Sequence, residues 1–157
     1  MTYTFRYGRL DDAETMFNLD KICFAAPFNF RRQTFKHLLV QPDTITLVAV
    51  NEDGGIAGFI IVEPMPPDAS CISTIDVDPR ERRKGLGKVL LERAMNETVQ
   101  KKLFKSYLQV YVENRGAIEF YRNLGYKVVK LLPSFYGYER NGLLMFMDYG
   151  NDEGCRR

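Results

Sequence analysis

The stretch from Ser70 to Gln100 constrains the chain most. A β-branched run, Ser70 to Val77, ends at Asp78-Pro79, where proline stops ladder pairing. The loop Arg82-Arg83-Lys84-Gly85-Leu86-Gly87 follows, and a helix begins near Leu86. On that helix Leu90, Leu91, Ala94, Met95 and Thr98 recur at i, i+1, i+4, i+5 and i+8. They form one inward stripe opposite Lys88, Glu92, Asn96 and Gln100, so the helix needs a sheet to cover. The loop has the chemistry of an anion site. The N–H groups of a helix's first turn lack intrahelical acceptors, the helix dipole favours negative charge there, and glycine lets a phosphate approach the backbone. A pyrophosphate suits it. The Walker pattern and the third glycine of the dinucleotide fingerprint are both missing, which argues against a nucleotide triphosphatase and a dehydrogenase. Alternatively, Arg80, Arg82, Arg83 and Lys84 are a solvated charge run and the glycines only make a turn. The loop alone does not separate these readings.

The remaining pattern supplies the sheet. Thr2 to Tyr7 alternates as a strand, and Asp11 or Asp12 is placed to N-cap a helix carrying Ala13, Met16, Phe17, Cys23 and Phe24. A second short helix is expected around Gln33 to Val40. The connection Ala25-Ala26-Pro27-Phe28-Asn29-Phe30 is apolar and aromatic where a polar one is usual. Thr44 to Val50 and Ile56 to Glu63 form an antiparallel pair around Asn51-Glu52-Asp53-Gly54-Gly55, and Pro64-Met65-Pro66-Pro67 breaks the chain before the next strand. Tyr107 to Val112 is a strand. Arg115 to Leu124 is a helix with Ala117, Phe120, Tyr121 and Leu124 on one face and Gly125 as its stop. Lys127 to Leu132 and Leu143 to Tyr149 close the chain as strands. The order β, α, α, β, β, β, α, β, α, β, β belongs to the α+β class. The expected architecture is a mixed, mostly antiparallel sheet of six or seven strands with helices on both faces. One domain over 1–150 and a polar tail over 151–157 are expected.

Composition removes several functions. The length, 157 residues, suits a single domain. Twenty-two basic against twenty acidic side chains leave a net charge of +2, too little for a chain built to neutralise a nucleic-acid backbone. No apolar run approaches the ~20 residues of a membrane span, and the start lacks a signal peptide's apolar core, so a soluble, cytoplasmic protein is expected. Cys23, Cys71 and Cys155 fit neither a disulfide framework nor a metal clamp, and no metal is expected. The single histidine, His37, leaves little room for a Ser-His-Asp triad or a histidine-rich metal site.

Three segments in combination go further. The loop resembles the R/Q-x-x-G-x-G/A acetyl-coenzyme A signature of the GNAT superfamily of N-acetyltransferases, with Arg82 first and glycines at 85 and 87. The strand before it ends Ile75-Asp76-Val77-Asp78-Pro79, similar to that family's apolar-x-apolar-D-P ending. The run from Asn114 to Tyr126, with Ala117-Ile118, Tyr121 and Gly125 in register, resembles its N-x-x-A-I-x-x-Y-x-x-x-G-F/Y motif. The form is most similar to the branch that acetylates protein N-termini, including ribosomal-protein acetyltransferases.

The resemblance implies an acetyl-coenzyme A-dependent enzyme acting by direct attack in a ternary complex, with no metal, as a monomer or weak homodimer. The acceptor would be a protein or peptide N-terminus or, alternatively, a small amine. A third possibility is a catalytically silent acyl-coenzyme A-binding module. Arg82, Arg83, Lys84, Gly85, Leu86, Gly87 and Lys88 would surround the pyrophosphate. Ile75 and Val77 would pair the pantetheine across a gap opened by a local bulge, with the Val77 N–H toward the thioester oxygen and Asn114 on the opposite side. Tyr121 would be the general acid, a phenol of pKa near ~10 protonating a thiolate of pKa near ~8.5, although its helical stripe equally suits a core tyrosine. Where relatives place a glutamate or histidine base, this chain has Gln109, able to hold water but not to take a proton. Another base position of the superfamily falls on Cys71, read as packing. Deprotonation then runs either through water held by Gln109, Ser73 and backbone carbonyls, or with little help from an α-amine of pKa ~7.7–8.0. Phe28, Phe135 and Tyr136, in the two aromatic loops, would line the acceptor groove, with ordinary packing as the alternative.

Overall fold

The computed structural model describes residues 2–150. Seven strands, β1 (Thr4–Tyr7), β2 (Ile45–Val50), β3 (Ile56–Met65), β4 (Ala69–Val77), β5 (Lys105–Tyr111), β6 (Lys127–Leu132) and β7 (Gly142–Asp148), form one sheet in the order β1-β2-β3-β4-β5-β7-β6. Four helices, α1 (Ala13–Cys23), α2 (Arg32–Val40), α3 (Leu86–Gln100) and α4 (Arg115–Asn123), complete the α+β architecture. The element order expected from the sequence is observed, with 3-10 turns added at Leu10–Asp12 and Pro79–Glu81. β4 and β5 run parallel, from Ala69 opposite Lys105 to Ile72 opposite Leu108, and the β1–β2, β2–β3, β5–β7 and β6–β7 pairings are antiparallel.

The chain forms two compact units. Among the described residues, one unit holds 2–63 with Ser73–Glu97 and the other Pro64–Ile72 with 98–150; the polar tail expected over 151–157 lies outside them. In the first unit, β3 shows why helices lie on both faces of the sheet. Successive side chains of a strand point to opposite faces. Phe59 and Ile61 join Val48 of β2 in a core with Met16 and Leu19 of α1 and Phe35 and Leu38 of α2. Gly58, one position before Phe59 and so out of phase with the pair, turns the other way, and a Cβ there would lie 3.3 Å from Leu90 of α3. The stripe read for α3 is buried throughout, from Leu90 at 0% to Met95 at 5% exposure. In the second unit, β5 alternates, burying Ser106, Leu108 and Val110. Ser106 hydrogen-bonds the Tyr126 hydroxyl at 2.6 Å, which satisfies both buried groups.

Several local expectations need correction. Asp12 stands at the N-cap position of α1, as expected, but its side chain makes no capping bond there. Asp12 reaches back to the Arg9 N–H at 2.7 Å and pairs with Arg6 at 2.7 Å, whose guanidinium holds the carboxyl below the usual range. Phe24 lies beyond α1, in extended backbone. Pro64 does not end β3, which continues to Met65. On α4 the buried pair is Ile118 and Tyr121, with Ala117, Phe120 and Leu124 only half-buried; the stripe is rotated toward Ile118 because β-branched bulk goes inside.

Gly58 also lies so close to β4 that a Cβ would sit 2.7 Å from the Asp76 carbonyl oxygen. Gly58→Ala must push backbone aside and is expected to lower the unfolding free energy by roughly 1–3 kcal/mol in urea denaturation.

Candidate active site

In the first unit the loop after β4 is held by its own charges. Asp78 accepts the Arg80 N–H at 2.9 Å and pairs with the Arg80 side chain, while Lys84 pairs with Glu81 at 3.1 Å. Glu81 also accepts the Tyr3 hydroxyl, and that hydrogen bond, followed by burial and the carboxylate's charge, pushes the phenol up to about 12. Arg82 does not extend outward: its Nε donates to the Val77 carbonyl at 3.1 Å. Two residues then adopt the left-handed conformation, Arg83 at φ 63° and Gly85 at φ 79°. For Arg83 this costs about 1–2 kcal/mol, a strain of the kind found where a turn serves a ligand.

The turn aims the backbone of α3. Val89 N–H donates to the Gly85 carbonyl at 3.1 Å, the first intrahelical bond, so the N–H groups of Leu86, Gly87 and Lys88 come before any intrahelical acceptor. Leu86 is buried at 2% exposure and so anchors the start of the helix. A Cβ built on Gly85 meets nothing within 4 Å, so the turn borders open space. Loop, glycine and helix start therefore fit a pyrophosphate, with binding through main-chain donors. Ile75 and Val77 are half-buried at the end of β4, and the Val77 carbonyl accepts the Cys23 thiol at 3.4 Å as well as Arg82. Phe28 is half-buried in a turn closed by its own N–H to Ala25, whereas Phe30 packs on Phe35 at 5.7 Å and belongs to the core. Ser73 donates to Glu63 at 2.5 Å. That carboxylate is a group the sequence reading missed, since only the pairing of β3 with β4 brings it there.

In the second unit Asn114 N-caps α4, its side-chain oxygen accepting the Ala117 N–H at 3.2 Å, which leaves its amide group to donate elsewhere. Tyr121 is 7% exposed, stacked on Phe120 at 5.2 Å and edge-on to Tyr126 at 5.7 Å. Gln109 and Cys71 meet, the thiol 3.7 Å from Oε1, so the two positions that the resemblance marks for a base touch each other. Tyr136 belongs to the same cluster: its ring lies 6.1 Å from Tyr111 and 4.9 Å from Phe135. Burial, and then the charge of Cys71, push its phenol up to about 12. Phe135 remains 50% exposed. Gly142 makes this loop possible, because a Cβ there would stand 3.2 Å from both Phe135 and Tyr136. His37 is exposed on α2, as expected. Among the described residues no cluster of three metal-ligating side chains occurs, and no helix is long and apolar enough to cross a membrane.

Residues 13–126 match the model of the acetyltransferase (GNAT) family. The chain belongs to this family. It is thus an acyltransferase, an N-acetyltransferase of GNAT type that uses acetyl-coenzyme A. An N-alpha-acetyltransferase of Sulfurisphaera tokodaii is 28% identical over 157 residues, covering 91% of each chain. A ribosomal protein bS18-alanine N-acetyltransferase of Escherichia coli is 30% identical over 87 residues, which is 55% of this chain and 58% of that protein. The crystal structure of the ribosomal-protein-S18-alanine N-acetyltransferase from Escherichia coli superposes with a TM-score of 0.83 at 22% identity, covering 96% of this chain and 98% of that one, and so shares the fold.

The GNAT glycine turn makes a direct prediction. Gly85→Ala adds a Cβ where the backbone is left-handed and where no protein atom lies. Folding should lose about 1–2 kcal/mol. Affinity for acetyl-coenzyme A, measured calorimetrically, should fall roughly tenfold or more, the loss of a charge-assisted hydrogen bond.

Proposed function

We propose that this enzyme acetylates the N-terminal α-amine of a protein or peptide by direct attack on acetyl-coenzyme A in a ternary complex. The observation that carries this reading is the Gln109–Cys71–Tyr136 cluster. A carboxamide cannot take the ammonium proton, and a phenol held near 12 stays protonated throughout the working range. An acceptor that loses its own proton readily is therefore favoured. An α-amine has pKa ~7.7–8.0 and a lysine ~10.4, so near neutral pH the free base of an α-amine is several-hundred-fold more abundant, roughly. The names of the relatives support the same acceptor class.

The roles then divide as follows. Bound acetyl-coenzyme A supplies a thioester carbonyl and a thiolate leaving group. Main-chain donors at Gly85, Leu86, Gly87 and Lys88 hold the pyrophosphate, assisted by Arg83, Lys84 and Arg82, the last of these fixing the Val77 carbonyl. Ile75 and Val77 offer backbone to the pantetheine, with the Val77 N–H toward negative charge developing on the thioester oxygen. Asn114 donates its amide to the pantetheine, and Tyr121 protonates the departing sulfur. Phe28, Phe135 and Tyr136 hold the acceptor. Tyr136 serves as a hydrogen-bond donor to the peptide backbone, because its proton is retained.

A second reading also has an observation behind it. The Glu63 carboxylate accepts from Ser73, so a proton leaving the acceptor by way of water and Ser73 would find a base there.

Peptides with free and blocked α-amines test the proposal by mass spectrometry. The free peptides should gain one acetyl group at the N-terminus, and blocked peptides carrying lysine should remain unmodified. Acetylation of the lysines would defeat the reading. With a free peptide, Tyr136→Phe should raise the peptide KM about tenfold and leave the KM for acetyl-coenzyme A within about twofold, the signature of a lost acceptor-side hydrogen bond.

A further inference from the structure

Asp20 on α1 and Asp76 on β4 are both 1% exposed, and the chemistry above uses neither. The Cys23 thiol of α1 reaches the Val77 carbonyl of β4 at 3.4 Å, which brings Asp20, one helical turn before Cys23, against Asp76, the neighbour of Val77, so that each carboxyl group acts on the other. Buried like charges in contact do not both ionise. The surroundings of each decide where the proton sits. Asp20 Oδ2 accepts the Phe30 N–H at 2.6 Å, which favours a carboxylate there. Asp76 Oδ1 accepts the Thr74 hydroxyl at 2.5 Å, whereas Asp76 Oδ2 is buried and finds no donor. A proton on Asp76 Oδ2, given to the Asp20 carboxylate, satisfies both groups at once.

This pair ties together two segments of the first unit. Through Asp20 it holds the Phe30 N–H, and with it the aromatic connection after α1. Asp76 stands next to Val77, whose carbonyl receives Cys23 from the same helix and Arg82 from the following loop. We infer that Asp20 and Asp76 form a one-proton link that positions the acceptor-side connection 24–31 against the donor-binding end of β4. The inference rests on the roles proposed above for Phe28 and Val77.

The groups facing the pair set its pH response. Burial, followed by the charge of Asp20, raises Asp76 well above the carboxylate range, while Thr74 and Arg82 oppose the rise. Burial also raises Asp20, against the bonds from Asp76 and Phe30. Burial and Asp76 push the Cys23 thiol up to about 11, so it stays neutral. An unfolded aspartate ionises near ~3.9. The stability carried by the Asp76 proton is therefore complete below that pH and is lost as pH rises toward the folded value. Across this window the folded chain holds one proton more than the unfolded chain, and the unfolding equilibrium constant rises up to about tenfold per pH unit.

Asp76→Asn keeps an N–H donor for Asp20 and an oxygen for Thr74 but cannot titrate. Urea unfolding of both proteins between pH 5 and 7 should show the ratio of their unfolding constants changing by up to about tenfold per unit, with the variant the more stable at pH 7. Parallel pH profiles would overturn the shared proton. Hydrogen exchange reads the positioning: Asp76→Ala should speed exchange of the Phe30 amide about tenfold or more, and Asp76→Asn should leave it protected. Equal protection in both variants would overturn the link. Neither readout uses an acceptor, so their failure is distinct from failure of the α-amine reading, which the peptide assay decides.

Discussion

The backbone N–H groups at the start of α3 precede any acceptor in their own helix, and the surrounding residues hold them in place. Arg83 and Gly85 supply the two left-handed steps that turn the chain from β4 into α3. The buried stripe from Leu90 to Thr98 anchors the helix behind them, and Gly58 lets β3 approach β4 closely enough to support the strand. The charges of the loop are largely matched locally, Arg80 with Asp78 and Lys84 with Glu81, so its shape does not depend on a ligand to neutralise it. A near-neutral chain thus carries a preorganised turn whose geometry suits the pyrophosphate proposed for it.

The acceptor side rests on a different balance. Gln109 and Cys71 touch, and Tyr136 is kept as a neutral phenol by burial. A carboxamide and a phenol whose proton is held in this way do not take up a proton at neutral pH. Under the proposed function, chemistry at this cluster would draw on the acceptor's own acidity, and the absence of a base would act as a source of selectivity. The Asp20–Asp76 pair shows the same economy elsewhere in the chain: a single retained proton joins two carboxyl groups that would otherwise repel.

Much of this was legible in the sequence, for identifiable reasons. Hydrophobic periodicity over 15 helical residues located α3 and its buried face, and glycines 85 and 87 located the turn that leads into it. The motif around Asn114 and Tyr121 placed α4, yet its stripe was read one position off because Ile118 competes with Ala117 for the interior. What stayed hidden depends on pairing between distant segments. The Ser73–Glu63 bond, the Cys71–Gln109 contact and the Asp20–Asp76 pair each join residues 10 or more positions apart, and no local pattern announces them. Asp12 occupies the N-cap position that was legible, but its carboxylate is taken by Arg6 and the Arg9 N–H, partners no local pattern shows.

The claim that the acceptor amine brings its own acidity is tested most directly by the pH dependence of kcat/KM for two peptides whose α-amine pKa values differ by about one unit. The account predicts a rising limb that follows the pKa of each peptide and is unchanged in Glu63→Gln. A limb at one fixed pH for both peptides, abolished in Glu63→Gln, would contradict it and assign the proton to the enzyme.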